Sequence, residues 1–204
     1  NGERYFIVLS DIVNGILEGR FELNRMGANL FRFFHANHPA LVERAFGKPP
    51  AQDTLPLTDN YKFNIQIKNT RNLTRLIDPA LDTISAAWIR GHVNTVKQTS
   101  ELKFYFPKLT YSGFITRDIN FSWNNSSSSG KYDLSIPQAL LANGQRLAQI
   151  QFFGEATKEQ AGFTFKTEDT ASIVQRVNLK GVMSTVDSLW QIHFNTSNIT
   201  LFDE

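Results

Sequence analysis

His35 and His38 stand three residues apart in a stretch with helical periodicity, a spacing that sets two imidazoles on one helix face as a zinc site requires. Zinc asks for further ligands, and the neighbouring sequence offers only Asn37 and Glu43, so a structural or surface pair is the expectation and no metal is called for. His92 and His193 each sit among alternating apolar residues and read as solvent-facing members of strands. The serine run 126–129 has loop composition, and no G-x-S-x-G elbow supports a serine nucleophile. Dinucleotide and phosphate-binding glycine motifs, H-E-x-x-H and calcium-loop patterns are absent, so no cofactor is expected. The carboxylates Asp118, Asp133, Glu155, Asp169 and Asp187 are spread one per strand or turn, and glycoside hydrolysis would need the fold to bring two of them together.

These residues belong to a chain of 204 residues, 41% hydrophobic, long enough for one substantial core. Its 21 basic and 19 acidic residues are interspersed, which argues against a nucleic-acid partner. The absence of cysteine excludes disulfides, thiolate zinc sites and a cysteine nucleophile. The longest apolar stretch, "RYFIVLSDIVNGIL", is broken by Ser10, Asp11 and Asn14 and is too short to span a bilayer. The chain starts at Asn1 without a leader pattern and is still alternating at Ile199 and Leu201, so it reads as a piece of a longer protein.

Period-2 alternation dominates and predicts strands over 3–9, 16–23, 63–67, 84–96, 101–111, 113–124, 131–136, 147–156, 161–167, 172–186 and 188–201. Between Asn29 and Phe46 the period becomes helical, with Pro39 dividing two short helices. The order is a β segment (1–25), a helical insert (26–48), a Pro-rich linker (49–60) and a β-rich segment (61–204). "LTRLIDP" reads as a helical turn, "NNSSSSGK" as a loop tip and "PQALLANG" as a brief helix ended by Gly144. Apolar-x-Gly-x-apolar recurs at Gly19, Gly91, Gly154 and Gly181 with no fixed period, marking either strand bends or a degenerate repeat of one curved sheet.

The run "NYKFNIQIKNTRNLTRLIDPALDTISAAWIRGHVNTVKQTSELKFYFPKLTYSGFITRDINFSWNN" resembles segments of the TamB-like proteins of the Bacteroidota, relatives of the AsmA group. The likeness lies in the order of helical insert, Pro-rich linker, "FNIQIKNT" strand, "LTRLIDP" turn and glycine strand, and extends in style over residues 15–190 through loose alternation patterns. It implies a periplasmic protein anchored in the inner membrane by a segment outside this chain, and an Omp85-type outer-membrane partner. The implied role is phospholipid transport or outer-membrane protein assembly, without catalysis. The implied fold is mainly β, an elongated curved antiparallel sheet or trough, which the helical insert would plug or cap.

An apolar trough holds acyl chains at about 0.8 kcal/mol per buried methylene without specific polar contacts. The candidate lining is Phe63, Ile65, Ile67, Leu102, Phe104, Phe106, Ile119, Phe121, Trp123, Phe163, Phe165, Ile192 and Phe194, every one of which could equally belong to a closed core. A different class of function remains open beside it: a β-sandwich recognition module in which Trp88, Trp123 or Trp190 stacks on a sugar.

Overall fold

The computed structural model describes residues 2–47, 55–68, 80–127, 129–168, 174–186 and 189–201. Its strands are β1 (Arg4–Leu9), β2 (Val13–Arg20), β3 (Asn60–Ile67), β4 (Leu81–Ile84), β5 (Ala87–Asn94), β6 (Thr99–Tyr111), β7 (Phe114–Ser126), β8 (Ser129–Leu140), β9 (Arg146–Ala156), β10 (Gln160–Glu168), β11 (Val174–Val186), β12 (Leu189–Phe194) and β13 (Asn198–Leu201). They form one 13-stranded antiparallel sheet in which neighbours follow chain order from β1 to β12. β4 pairs with the far half of β6 and β13 with the far half of β11, so β4–β5 and β12–β13 each act as one interrupted strand. The expected class, mainly β with a short helical insert, is the observed one.

Two lines of distinctive residues cross the strands. Along the first, the register places Gly91, Gly154 and Gly181 in a single row with Phe63, Leu102, Trp123, Tyr132, Phe163 and Phe194. Each glycine lies beneath a ring from a neighbouring strand. A Cβ at Gly91 would run into Phe63, one at Gly181 would sit 2.6 Å from Cζ of Phe163, and one at Gly154 would lie 2.7 Å from the Tyr132 hydroxyl and collide with the Gly162 carbonyl. Glycine at these positions leaves room for a cross-strand aromatic side chain to lie over the backbone. Gly19 stands one position over, opposite Tyr61, while Leu17 takes its place in the row.

Along the second line, Pro107 stands opposite Asp118 and Pro137 opposite Gln149, within pairs flanked by Phe106–Ile119, Lys108–Arg117, Ile136–Ile150 and Gln138–Ala148. Proline cannot donate to the ladder, and both residues facing it adopt the left-handed conformation, Asp118 at φ 54° and Gln149 at φ 50°. The buried side changes parity across the line: Ile119 and Thr116, three apart, are both buried. The gap between β4 and β5 falls on the same line, where the Ser85 amide donates to the Lys108 carbonyl.

The helical insert forms α1 (Met26–Asn37) and α2 (Pro39–Phe46), separated at His38 because Pro39 starts the second helix at a position that needs no amide donor. Several expectations are corrected. "PQALLANG" is not a helix: β8 continues through it to Leu140, and a turn follows in which the Gly144 amide donates to Leu141. Ladder pairing on both sides overrides the short local preference. The loop tip expected in "NNSSSSGK" is narrower than the stretch, since β7 runs to Ser126, β8 starts at Ser129 and these two residues pair. The strand expected over 84–96 is split, and that over 188–201 is broken between β12 and β13. The "LTRLIDP" turn from 73 to 79, the start of the 172–186 strand and much of the Pro-rich linker lie outside the described residues.

Candidate functional site: the helix-bearing face of the sheet

Cross-strand partners share a face, so the register sorts the side chains. Phe63, Leu102, Trp123, Phe163 and Phe194 occupy the glycine row. The next row is Val8, Gly15, Ile65, Ile89, Phe104, Phe121, Leu134, Phe152, Phe165 and Leu179, apolar across ten strands. Beyond it come Ile67, Phe106 and Ile119, two residues further along their strands. Ile192, paired with Met183, lies on the other side of the glycine row. Every candidate lining residue therefore falls on one face. Ile89, Leu134, Tyr132, Phe152 and Leu179 share it but escaped the sequence reading. For Phe152 the reason is local: "FF" at 152–153 puts one ring on each face, and alternation alone cannot choose between them.

The opposite face is polar, with Lys62, Asn64, Gln66, Arg90, Lys103, Asn120, Lys131, Asp133 and Glu155 exposed. The apolar face is not sealed. Only Phe21 and Phe33 among the described phenylalanines are buried, whereas Phe63, Phe104, Phe106, Phe121, Phe163 and Phe165 are half-buried and Phe194 is 62% exposed. The accessible surface of 13191 Å² compares with roughly 9,700 Å² for a compact chain of this mass. The rings pack on one another, Phe104 stacking on Phe121 at 4.7 Å and meeting Phe106 edge-on at 5.2 Å. The outcome is an aromatic floor supported from below and accessible from above.

The α1–α2 hairpin lies along this face. Met26 and Leu30 pack on the buried cluster of Leu17, Phe21, Tyr61 and Val93. Further along, Phe34 meets Trp123 at 6.4 Å, and His38 touches Trp123 edge-on at 5.4 Å. The Trp123 indole donates to Ser100 Oγ at 3.1 Å, and its ring covers Gly130. Trp123 is thus a covered wall residue, Trp88 belongs to the polar face with Arg90 over its ring at 4.7 Å, and Trp190 is 40% exposed on β12. Between the start of α1 and β1–β3 a hollow of about 360 Å³ remains, lined almost entirely by apolar side chains including Phe6, Val8, Leu23, Met26, Leu30 and Ile65.

Two tyrosines on this face hold their protons tightly. Burial, and secondarily the Asp59 carboxylate, push the Tyr61 phenol far above its ordinary value, and burial pushes Tyr132 upward while its hydroxyl donates to the Gly162 carbonyl at 2.9 Å. A folded-state value above the unfolded one contributes stability that is complete below about pH 10 and is lost as pH rises further. In an alkaline titration Tyr61 should therefore ionise only alongside unfolding. Early ionisation of every tyrosine before any loss of strand signal would contradict this burial.

The histidine pair of the insert serves structure. His35 Nε2 lies 2.8 Å from Glu43 Oε1, and His38 is buried with both ring nitrogens engaged. No group of three metal-binding side chains occurs among the described residues. Of the carboxylates, Asp133 and Glu155 are exposed on the polar face with Lys131 directly opposite Glu155, Asp118 accepts from the Tyr105 hydroxyl at 2.7 Å, and Asp169 and Asp187 lie outside the described residues. No helix among the described residues is long and apolar enough to cross a membrane. No protein-family model matches the chain, no curated protein matches it in sequence, and no solved structure matches it.

Proposed function

We propose that this chain is a non-catalytic, trough-forming segment of a periplasmic envelope-biogenesis protein that carries phospholipid acyl chains towards the outer membrane or supports outer-membrane protein assembly. The observation that carries the reading is the unbroken apolar row from Val8 to Leu179, half-open over its aromatic floor and without a charged side chain. A uniform apolar strip lets a chain slide, because each register buries a similar area. The periplasmic location, the membrane anchor outside this chain and the Omp85-type partner rest on the TamB-like resemblance and belong to the same proposal.

A sugar-binding reading has one observation in its favour, a hollow of about 630 Å³ whose mixed lining includes Trp88, Asn64, His92 and Glu101. Arg90 already covers one face of the Trp88 ring, which weakens it as a stacking platform.

The test is to express the chain in a bacterial envelope, purify it gently, and identify bound lipid by native mass spectrometry and extraction. Phospholipid should co-purify and be lost from Phe104→Asp or Phe165→Asp, which place a charge in the floor. A well-folded, lipid-free wild type would overturn the reading and bring the recognition module forward.

A further inference from the structure

We infer that the hollow beneath the start of α1 is a seat for one acyl chain of a phospholipid, a fixed binding site at the β1 end of the apolar row. The inference deepens the trough reading, on which its choice of an acyl chain rests. The hollow owes its space to a glycine. Gly15 stands in the row that begins Val8, Gly15, Ile65, and a Cβ placed there would touch only Ile65 Cγ1 and Val8 Cβ, both at 3.9 Å. The other strand glycines of this face, Gly19, Gly91, Gly130, Gly154 and Gly181, each have a ring or neighbouring backbone pressed against the same position. At Gly15 no ring closes the gap, and Met26 and Leu30, one helical turn apart on α1, roof it instead.

The lining limits what can fill about 360 Å³. Among the described lining residues none is charged, and the only polar side chain is Tyr61, which is buried. A buried water needs several polar partners and a charged headgroup needs more, so neither is at home here. Packed interiors leave few voids larger than a water molecule, whereas ligand pockets begin at roughly 300 Å³. The lining is also long. It runs from Tyr61 to Val13, which pairs with Ile67, so it extends six residues along the strands, about 20 Å. A slender, flexible hydrocarbon matches that shape, and the unbranched Met26 adapts to it. Phe6 and Val8 at the rim are 44% and 39% exposed, which leaves an opening where a headgroup stays in water. A chain moving along the row from Phe104 through Ile89 and Ile65 reaches the seat without passing a polar side chain. Enclosed there between helix and sheet, it buries more of each methylene than it can on the open floor.

Photolabelling of the whole chain with a diazirine-bearing palmitate, mapped by peptide mass spectrometry, tests the seat. Label should fall on β1–β3 and the first half of α1, saturate at one per chain and be displaced by unlabelled palmitate. Gly15→Leu should lower palmitate affinity more than about tenfold, since each displaced methylene is worth about fourfold. Its strand signal and urea midpoint should match or exceed the wild type, because the position is ordinary strand with open space above it. Phe165→Asp, seven strand spacings from Gly15 or roughly 34 Å along the sheet, should keep palmitate affinity within about twofold. The same variant should lose phospholipid, whose second chain needs the floor. Label confined to β5–β10 would overturn the seat and leave the trough standing. Absence of saturable label, full palmitate binding by a folded Gly15→Leu chain, or dimerisation that blocks the label and so assigns the hollow to a second copy would each overturn the seat. Label at the seat of a chain that purifies free of phospholipid would keep a single-chain site and overturn the trough. The wild-type label map decides the matter even if a variant does not fold.

Discussion

Gly154→Val is expected to cost about 3 kcal/mol or more, enough to unfold a chain of ordinary marginal stability. The new Cβ would strike the Gly162 carbonyl of the adjacent strand and the Tyr132 hydroxyl, and the carbonyl is backbone that cannot swing away. Relief requires separating β9 from β10 at this point, which also breaks the bond from Tyr132 to Gly162. The matched control is Gly27→Ala. Nothing lies within 4 Å of a Cβ there, the position is exposed in the first turn of α1, and a gain of about 0.5 kcal/mol is expected from the lost flexibility of glycine. Urea unfolding of the two variants, monitored by strand signal, should move in opposite directions. Equal and small effects would mean that the glycine row is not under packing constraint.

Trp123→Ala is the second large effect, about 3 kcal/mol, because one side chain joins two flanking strands of the sheet and the hairpin. Its ring covers Gly130 on β8, its indole nitrogen bonds to Ser100 on β6, and its edges meet Phe34 and His38 of the hairpin. Truncation removes the aromatic contacts and leaves Gly130 beneath a void. Trp190→Ala, on the exposed β12, should cost under about 1 kcal/mol. Thermal unfolding of the pair separates a ring that holds the hairpin to the sheet from one that only extends the apolar face. If the two variants were equally mild, the hairpin would not depend on Trp123.

Among the described residues, both edges of the sheet are open. β1 and β12 are exposed along their whole length, and β1 sets Tyr5, Phe6, Ile7, Val8 and Leu9 in succession at an unpaired ladder. Native edge strands are commonly blunted by lysine, proline or a bulge, and none of these occurs within β1.

Period-2 alternation by itself determined the β class and the composition of the apolar face, because side chains two apart must share a face whichever strands pair. That is why Phe63, Ile65 and Ile67, or Phe104 and Phe106, were legible as one surface. Pro39 likewise determined the break between the two helices, through a local steric rule. Tertiary structure decided the rest. Nothing local in "SIPQALLANG" distinguishes a helical turn from a strand, and only the ladders to β7 and β9 settle it. The alignment of Gly91, Gly154 and Gly181 in one row, and of Pro107 with Asp118 and Pro137 with Gln149 in another, depends on registers between segments far apart in sequence. His38 reads from sequence as half of a surface or partly packed pair; its burial between Asn125 and Thr157, residues that lie far along the chain, exists only because a hairpin inserted after β2 folds back across the sheet.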